Sequence, residues 1–215
     1  KPGTPRHAIG IETDLQSLSD GTVIVYHDEN FNRLYNFGSG ASLGEDKRII
    51  DTSYADFDRL FGTTTGSASV AASSTPQRIL PRPELLADLA DFIDKEGICP
   101  ALLEVKVYED IESAIGTTDH AIAEIKKHHL ESCVYLGSQD ERIVEHIEKV
   151  APEIMSNQYV YTKAGDIGRL RFADAYSLEY SLVNERIVRE FRQSGKKIFA
   201  WTVNAGSEAE QMYAY

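Results

Sequence analysis

Segments with the two-residue period of a strand alternate along this chain with segments of helical period. That alternation restricts the fold more than any single residue does. Strand-like runs fall at 8–15, 22–27, 101–107, 133–136, 154–160, 173–178 and 197–203, and helical patterns occupy 83–95, 119–129, 140–150 and 184–194. In the first helical pattern Leu85, Leu86, Leu89, Phe92 and Ile93 recur on one face behind Pro83, a residue suited to a first turn. The third stops ahead of Pro152 and the fourth ahead of Gly195, both ordinary places for a helix to end. This order predicts an α/β fold with a parallel sheet covered by helices. A chain of 215 residues nearly accommodates a single (β/α)8 barrel, typically about 250 residues long. One barrel domain over 1–215 is therefore expected. Segment 36–81 breaks the rhythm: it is rich in Gly, Ser, Thr and Ala, and 62–75 is almost devoid of large residues. It predicts an irregular insertion, either a cap on the barrel mouth or surface decoration.

Charge narrows the function. Lys and Arg number 22 against 34 Asp and Glu, a net charge of −12. Such a chain lacks the basic field of a nonspecific nucleic-acid binder and the polybasic patch that anchors to anionic lipid. An anionic substrate would need a local cation to reverse the sign, and a bound metal ion is the economical device. No stretch of about 18 or more apolar residues occurs, so this segment does not span a membrane, and it contains no secretory signal. Any tether or signal would lie outside it, which leaves cytoplasmic, membrane-associated and extracytoplasmic placements open. Cys99 and Cys133 form no CxxC and no metal-ligand spacing, and both lie beside apolar strand-like runs. They predict buried free thiols.

Four strand-like runs carry residues suited to chemistry. In Ile9-Gly10-Ile11-Glu12-Thr13-Asp14-Leu15 the two acids share one strand face. Two inward carboxylates are costly without a partner, and a hard divalent cation with oxygen ligands is the simplest one. A solvent-facing edge is the other reading. The run after Asp20-Gly21 ends in His27-Asp28, at the strand C-terminus where barrel chemistry collects. There His27 would exchange protons near neutral pH, with Asp28 orienting it or capping a turn. Plain structural hydrogen bonding is the alternative. In Leu103-Glu104-Val105-Lys106 the polar pair again shares a face. An inward Glu104 would complete a carboxylate set with Glu12 and Asp14, and an inward Lys106 would meet a phosphate as a point charge. An exposed Glu–Lys pair is the other outcome. Finally, Trp201 would wall a small-molecule pocket or pack in the core, and Asn204 would donate to a substrate oxygen or cap a helix.

Taken in order, Ile11-Glu12-Thr13-Asp14, Asp20-Gly21, His27-Asp28, Arg33, Leu80-Pro81, Leu103-Glu104-Val105-Lys106 and Trp201-Thr202-Val203-Asn204 resemble the glycerophosphodiester phosphodiesterase family over nearly the whole chain. The resemblance implies a TIM barrel that hydrolyses glycerophosphodiesters to glycerol 3-phosphate and an alcohol with one divalent cation, Mg²⁺ or Ca²⁺. It implies metal ligands at Glu12, Asp14 and Glu104, a catalytic acid/base at His27, a phosphate contact at Lys106 and a substrate pocket lined by Trp201. The stretch 165–204 further resembles members joined to membrane-spanning segments. The family's opening strand with His-Arg-Gly and its closing strand with Thr-Asp-x-Pro have no counterpart between Lys1 and Tyr215. The implied barrel is accordingly incomplete at both ends, and His7, five residues before Glu12, is not assigned the role of the first His. Lacking one partner of an acid/base pair, the segment alone is expected to be slow, since such catalysis contributes about 10²–10⁴-fold. Two other classes stay open. One is a non-catalytic or structural module that binds glycerophosphodiesters or teichoic-acid-like polymers. The other is a related barrel lipase of the phospholipase D or sphingomyelinase D type.

Overall fold

The computed structural model describes residues 10–35, 47–61, 68–69, 79–80, 82–108, 110–161 and 172–215. In chain order its strands and α-helices are β1 (Ile11–Ser17), β2 (Val23–Val25), α1 (Tyr54–Phe61), β3 (Ala68–Ser69), β4 (Ile79–Leu80), α2 (Leu86–Glu96), β5 (Ala101–Val105), α3 (Ile111–Lys127), β6 (Val134–Ser138), α4 (Glu141–Val150), β7 (Met155–Val160), β8 (Ala175–Glu179), α5 (Glu185–Gln193), β9 (Lys197–Trp201) and α6 (Gly206–Ala214). Seven strands form one sheet in the order β2-β1-β5-β6-β7-β8-β9, and β3 pairs only with β4. From β1 through β9 every pairing in the large sheet is parallel. The sheet is an arc of a (β/α)8 barrel, not closed into a ring among the described residues.

Side-chain alternation sorts the arc into two faces. Leu15, Leu103, Val105 and Leu136 point outward and pack with Ile93, Ile122, Ile125 and Ile147 of the covering helices. Tyr176 and Leu178 do the same against Ile187, Val188 and Phe191 of α5. The inner face carries a smaller apolar layer of Leu102, Tyr135 and Ala175, with Met155 and Phe199 against it. The polar residues of the site lie on this same inner face.

Strand β2 departs from the expected pattern. It runs antiparallel to β1, with Leu15 opposite Val25. The connection is too short for a parallel crossover, which needs about a dozen residues. Instead Gly21 turns the chain at φ 84°, and Asp20 Oδ1 accepts from the Thr22 amide. His27 thus does not end a parallel strand. The Tyr26 amide bonds the Asp14 carbonyl at 2.9 Å, and this return of the hairpin brings His27 alongside Asp14.

Part of the 36–81 insertion is regular structure. Residues 36–46 and most of the 62–75 tract lie outside the described residues. Between them, a 3-10 turn at Ile49–Asp51 leads into α1. Ile49, Phe57, Leu60 and Phe61 then pack with Tyr26, Phe31 and Tyr35 as a satellite core. The spacing of Phe57, Leu60 and Phe61 is helical, a signal hidden by the small-residue tract that follows.

Helix ends follow capping chemistry. The side chains of Asp140 and Asn184 accept from the amides of Arg142 and Ile187 to start α4 and α5. Gly195 at φ 71° follows the end of α5. Helix α3 starts at Ile111, well ahead of the expected 119, with the Asp110 side chain accepting from Glu112. Gly116, Thr117 and Thr118 masked its first turns, and both threonine hydroxyls bond back to carbonyls one turn earlier.

The cysteines correct the expectation of free thiols. Cys99 and Cys133 are disulfide-bonded, with Cα atoms 5.0 Å apart. They precede the adjacent strands β5 and β6, where the Ala101 amide bonds the Cys133 carbonyl at 3.0 Å. The 34-residue separation conceals that closeness, because it equals one strand–helix repeat. Among the described residues no helix is long and apolar enough to cross a membrane.

Candidate active site

Strands β1 and β5 are neighbours, and their parallel register sets Glu12 opposite Leu102 and Asp14 opposite Glu104. All three acids share the inner face because side chains alternate along each strand. Glu12, Asp14 and Glu104 each present a ligand atom, and the three atoms lie within 4.8 Å of one another. On β6 beside Glu104 stands Gly137, where a Cβ would lie 1.7 Å from the Asn157 carbonyl oxygen. Only glycine lets β6 and β7 approach so closely behind the acids.

Lys106 follows β5 and spans two of the acids. Its Nζ lies 3.0 Å from Asp14 Oδ1 and 2.9 Å from Glu104 Oε2. Burial works against the ammonium charge, but Glu104 and Asp14 together hold it well above the usual lysine range. One ammonium does not balance three carboxylates. Burial pushes the Glu12 carboxyl up to about 7, with repulsion from Asp14 and Glu104 adding to it. Glu12 is the most exposed of the three, so the deficit of positive charge opens towards the cleft. Burial also raises Glu104, although Lys106 and Tyr161 bond its charged form. Three hard oxygen donors with uncompensated charge fit a divalent cation such as Mg²⁺ or Ca²⁺.

His27 sits at the side of this cluster. Its Nδ1 lies 2.7 Å from Asp28 Oδ1. Asp28 also accepts from Arg33 Nε and, at 3.0 Å, from Nη2. The bond from Arg33 and then that from His27 hold the Asp28 carboxyl below the usual range despite some burial. An ionised Asp28 makes Nδ1 the donor, which leaves Nε2 as the nitrogen available for proton exchange. The hydroxyl of Tyr108 donates to the His27 carbonyl and fixes the backbone there.

One cleft of about 540 Å³ is lined by all six residues expected to act, Glu12, Asp14, His27, Glu104, Lys106 and Trp201. Asn204 is not among its lining residues and is exposed. Nor does its side chain cap α6: Glu208 accepts from the Asn204 and Ala205 amides at 3.0 and 2.9 Å. His7 lies outside the described residues.

Two tyrosines of the cleft escaped the sequence reading. The Tyr161 hydroxyl donates to Glu104 at 3.2 Å, and its ring meets Trp201 edge-on at 4.5 Å between centroids. Tyr159 is buried and lines the same cleft. Asn157, Tyr159 and Tyr161 alternate on one face, and that period was the available signal.

The family model described as the glycerophosphoryl diester phosphodiesterase family matches residues 5–215. A glycerophosphodiester phosphodiesterase of Caldanaerobacter subterraneus is 24% identical over 210 residues, which are 95% of this chain and 78% of the relative. A glycerophosphodiester phosphodiesterase of Arabidopsis thaliana is 22% identical over 207 residues, 94% of this chain but only 58% of that protein. Among solved structures, a glycerophosphodiester phosphodiesterase of Parabacteroides distasonis matches with a TM-score of 0.71 at 14% identity, covering 95% of this chain and 75% of its own. A phosphodiesterase of Oleispira antarctica, solved with the product sn-glycerol-3-phosphate, matches with a TM-score of 0.70 at 18% identity, covering 97% and 78%. These likenesses show a TIM-barrel fold.

Proposed function

Since the chain belongs to the glycerophosphoryl diester phosphodiesterase family, we propose that it hydrolyses glycerophosphodiesters to glycerol 3-phosphate and an alcohol, with one divalent cation at Glu12, Asp14 and Glu104. The observation that carries this reading is the convergence of three acids from two separated strands within 4.8 Å, in a cleft shared with His27 and Lys106. The product seen in the Oleispira antarctica relative supports the same substrate class.

Within this reading each side chain has a defined task. The bound cation supplies electrophilic stabilisation of the anionic phosphate. Lys106 adds a positive charge beside it and at the same time tethers Asp14 and Glu104 in register. His27 carries a proton to or from the reacting oxygen through Nε2, because Asp28 occupies Nδ1. Arg33 keeps Asp28 ionised and fixed, so the imidazole is held in one orientation. Trp201 forms the apolar wall for the glycerol moiety.

The direct experiment is hydrolysis of a glycerophosphodiester with Mg²⁺ or Ca²⁺ and again after chelation, reading glycerol 3-phosphate. Activity that depends on the cation supports the reading. Undiminished activity in chelator, or in Glu12→Ala or Glu104→Ala, defeats the metal assignment.

A further inference from the structure

Resting on the reading above that the cleft binds a cation and a glycerophosphodiester, we infer that Tyr161 joins the two halves of the site: its hydroxyl positions the cation ligand Glu104, and its ring forms the substrate wall with Trp201.

Tyr161 immediately follows β7, two strands away from β5, and it is part-buried in the cleft. Its hydroxyl proton goes to Glu104, at 3.2 Å to Oε1 and 3.4 Å to Oε2. Its oxygen also accepts from Lys106 Nζ at 3.5 Å. A phenol has one proton and acceptor lone pairs, so both contacts are satisfied at once. Glu104 itself is only 3% exposed. Its carboxylate is held by Lys106 and Tyr161, and loss of the phenol would remove one of these two holds. Partners of ligating carboxylates orient the ligand, and removing them typically weakens metal binding about 10–100-fold.

The ring does something the hydroxyl does not. It stands edge-on to the Trp201 indole, with an interplanar angle of 62°. Edge-to-face is a favoured arrangement for two aromatic rings. Two ordered aromatic faces beside the acids make a wall for the carbon-bound part of a diester, while the phosphate meets Lys106 and the cation. A single residue therefore touches the inorganic and the organic ends of the pocket. The two roles separate on substitution: Tyr161→Phe removes only the hydroxyl, and Tyr161→Leu removes the ring as well.

The test uses the full chain in three forms: wild type, Tyr161→Phe and Tyr161→Leu. Calorimetric titration with Ca²⁺ and Mg²⁺ alone gives the cation Kd. Steady-state hydrolysis of a glycerophosphodiester at saturating cation gives KM and kcat, and thermal melting in chelator reports the fold. The expected result for Tyr161→Phe is a cation Kd weaker by about ten-fold or more, with KM at saturating cation near wild type and melting unchanged. Tyr161→Leu should show the same cation Kd as Tyr161→Phe together with a KM raised several-fold. An unchanged cation Kd in Tyr161→Phe, or a fall in its chelator melting temperature that accounts for the weaker binding, overturns the positioning role. Equal KM in the two variants overturns the wall. A wild type that binds cation yet cleaves no glycerophosphodiester overturns the functional reading and the wall with it, while the cation titrations still decide the positioning role. A wild type that binds neither cation overturns both.

Discussion

Asp14 and Glu104 stand opposite each other across the β1–β5 pair and share one ammonium, that of Lys106, at 3.0 and 2.9 Å. The pairing explains how acids far apart in sequence become one site. A parallel strand needs a crossover to return, and the intervening insertion and α2 supply it. The register then decides which residues meet. A slip of one residue would turn Glu104 to the helix-covered face, where a charge has no partner. The interior apolar layer of Leu102, Tyr135 and Ala175 lies on the same face, so packing and chemistry enforce the same register.

Glu104→Gln is expected to lose activity while keeping the fold. The amide retains the shape and still accepts from Lys106, but it removes a negative ligand. Lewis-acid stabilisation is worth several kcal/mol, so kcat/KM should fall by on the order of 10²–10³-fold. Calorimetric titration should show the cation Kd weakened in parallel. Melting in chelator should stay near wild type. Wild-type activity in this variant would remove Glu104 from the cation site.

Glu12 predicts a pH dependence of the metal-free protein. Burial and then Asp14 and Glu104 raise its carboxyl from 4.5 to about 7 in the folded state. The folded state thus binds this proton more tightly than the unfolded chain does. The resulting stability is fully present below 4.5 and is lost as pH rises through about 7. Solvent screening at this only partly buried carboxyl reduces the effect. In chelator, the melting temperature of wild type relative to Glu12→Gln should fall by a few degrees between about pH 5 and about pH 8, the scale of about 1 kcal/mol in a chain of this length. A constant difference across that range contradicts the raised carboxyl.

His27 and Asp28 should separate by degree. His27→Ala removes the proton carrier, and a loss of about 10²–10⁴-fold in kcat is expected. Asp28→Asn leaves the imidazole in place but removes the charge that fixes Nδ1 and pairs with Arg33. Its loss should be smaller, with KM little changed. Steady-state kcat of the two variants is the check, read beside melting curves that confirm the fold. A kcat in His27→Ala equal to wild type would exclude His27 from proton transfer.

How far the sequence reveals this molecule follows from the range of each interaction. The strands around Glu12, Glu104 and Trp201 and the helices at 83–95, 140–150 and 184–194 are local patterns, and the structure holds elements at each. The inward placement of Glu12, Asp14, Glu104 and Lys106 follows from a period of two. What escaped depends on contacts between distant segments. The direction of β2 is set by a hairpin at Gly21 that an apolar run does not reveal. The start of α3 is masked by Gly116 and two threonines whose hydroxyls bond within the helix. Tyr161 meets Glu104 and Trp201 only because the sheet brings the ends of β5, β7 and β9 together, and Asn204 is displaced from capping by Glu208. The disulfide is the clearest case, since nothing near either cysteine announces its partner.

That disulfide yields a stability change with no catalytic counterpart. Cys99 and Cys133 lie at the starts of β5 and β6, whereas Glu104 and Lys106 sit at the opposite end of β5. The cross-link closes a loop between residues 34 apart, and chain entropy assigns such a loop about 3–4 kcal/mol. At roughly 2–4 °C per kcal/mol for a chain of this size, Cys99→Ser with Cys133→Ser should lower the melting temperature by about 10 °C. Below that temperature kcat/KM should stay near wild type, because β5 keeps its register through the parallel pairing with β1 and β6. Reduction of the wild type should reproduce the shift. A melting temperature insensitive to both treatments would show that the bridge contributes nothing to stability. A proportional loss of kcat/KM well below melting would show that it reaches the site.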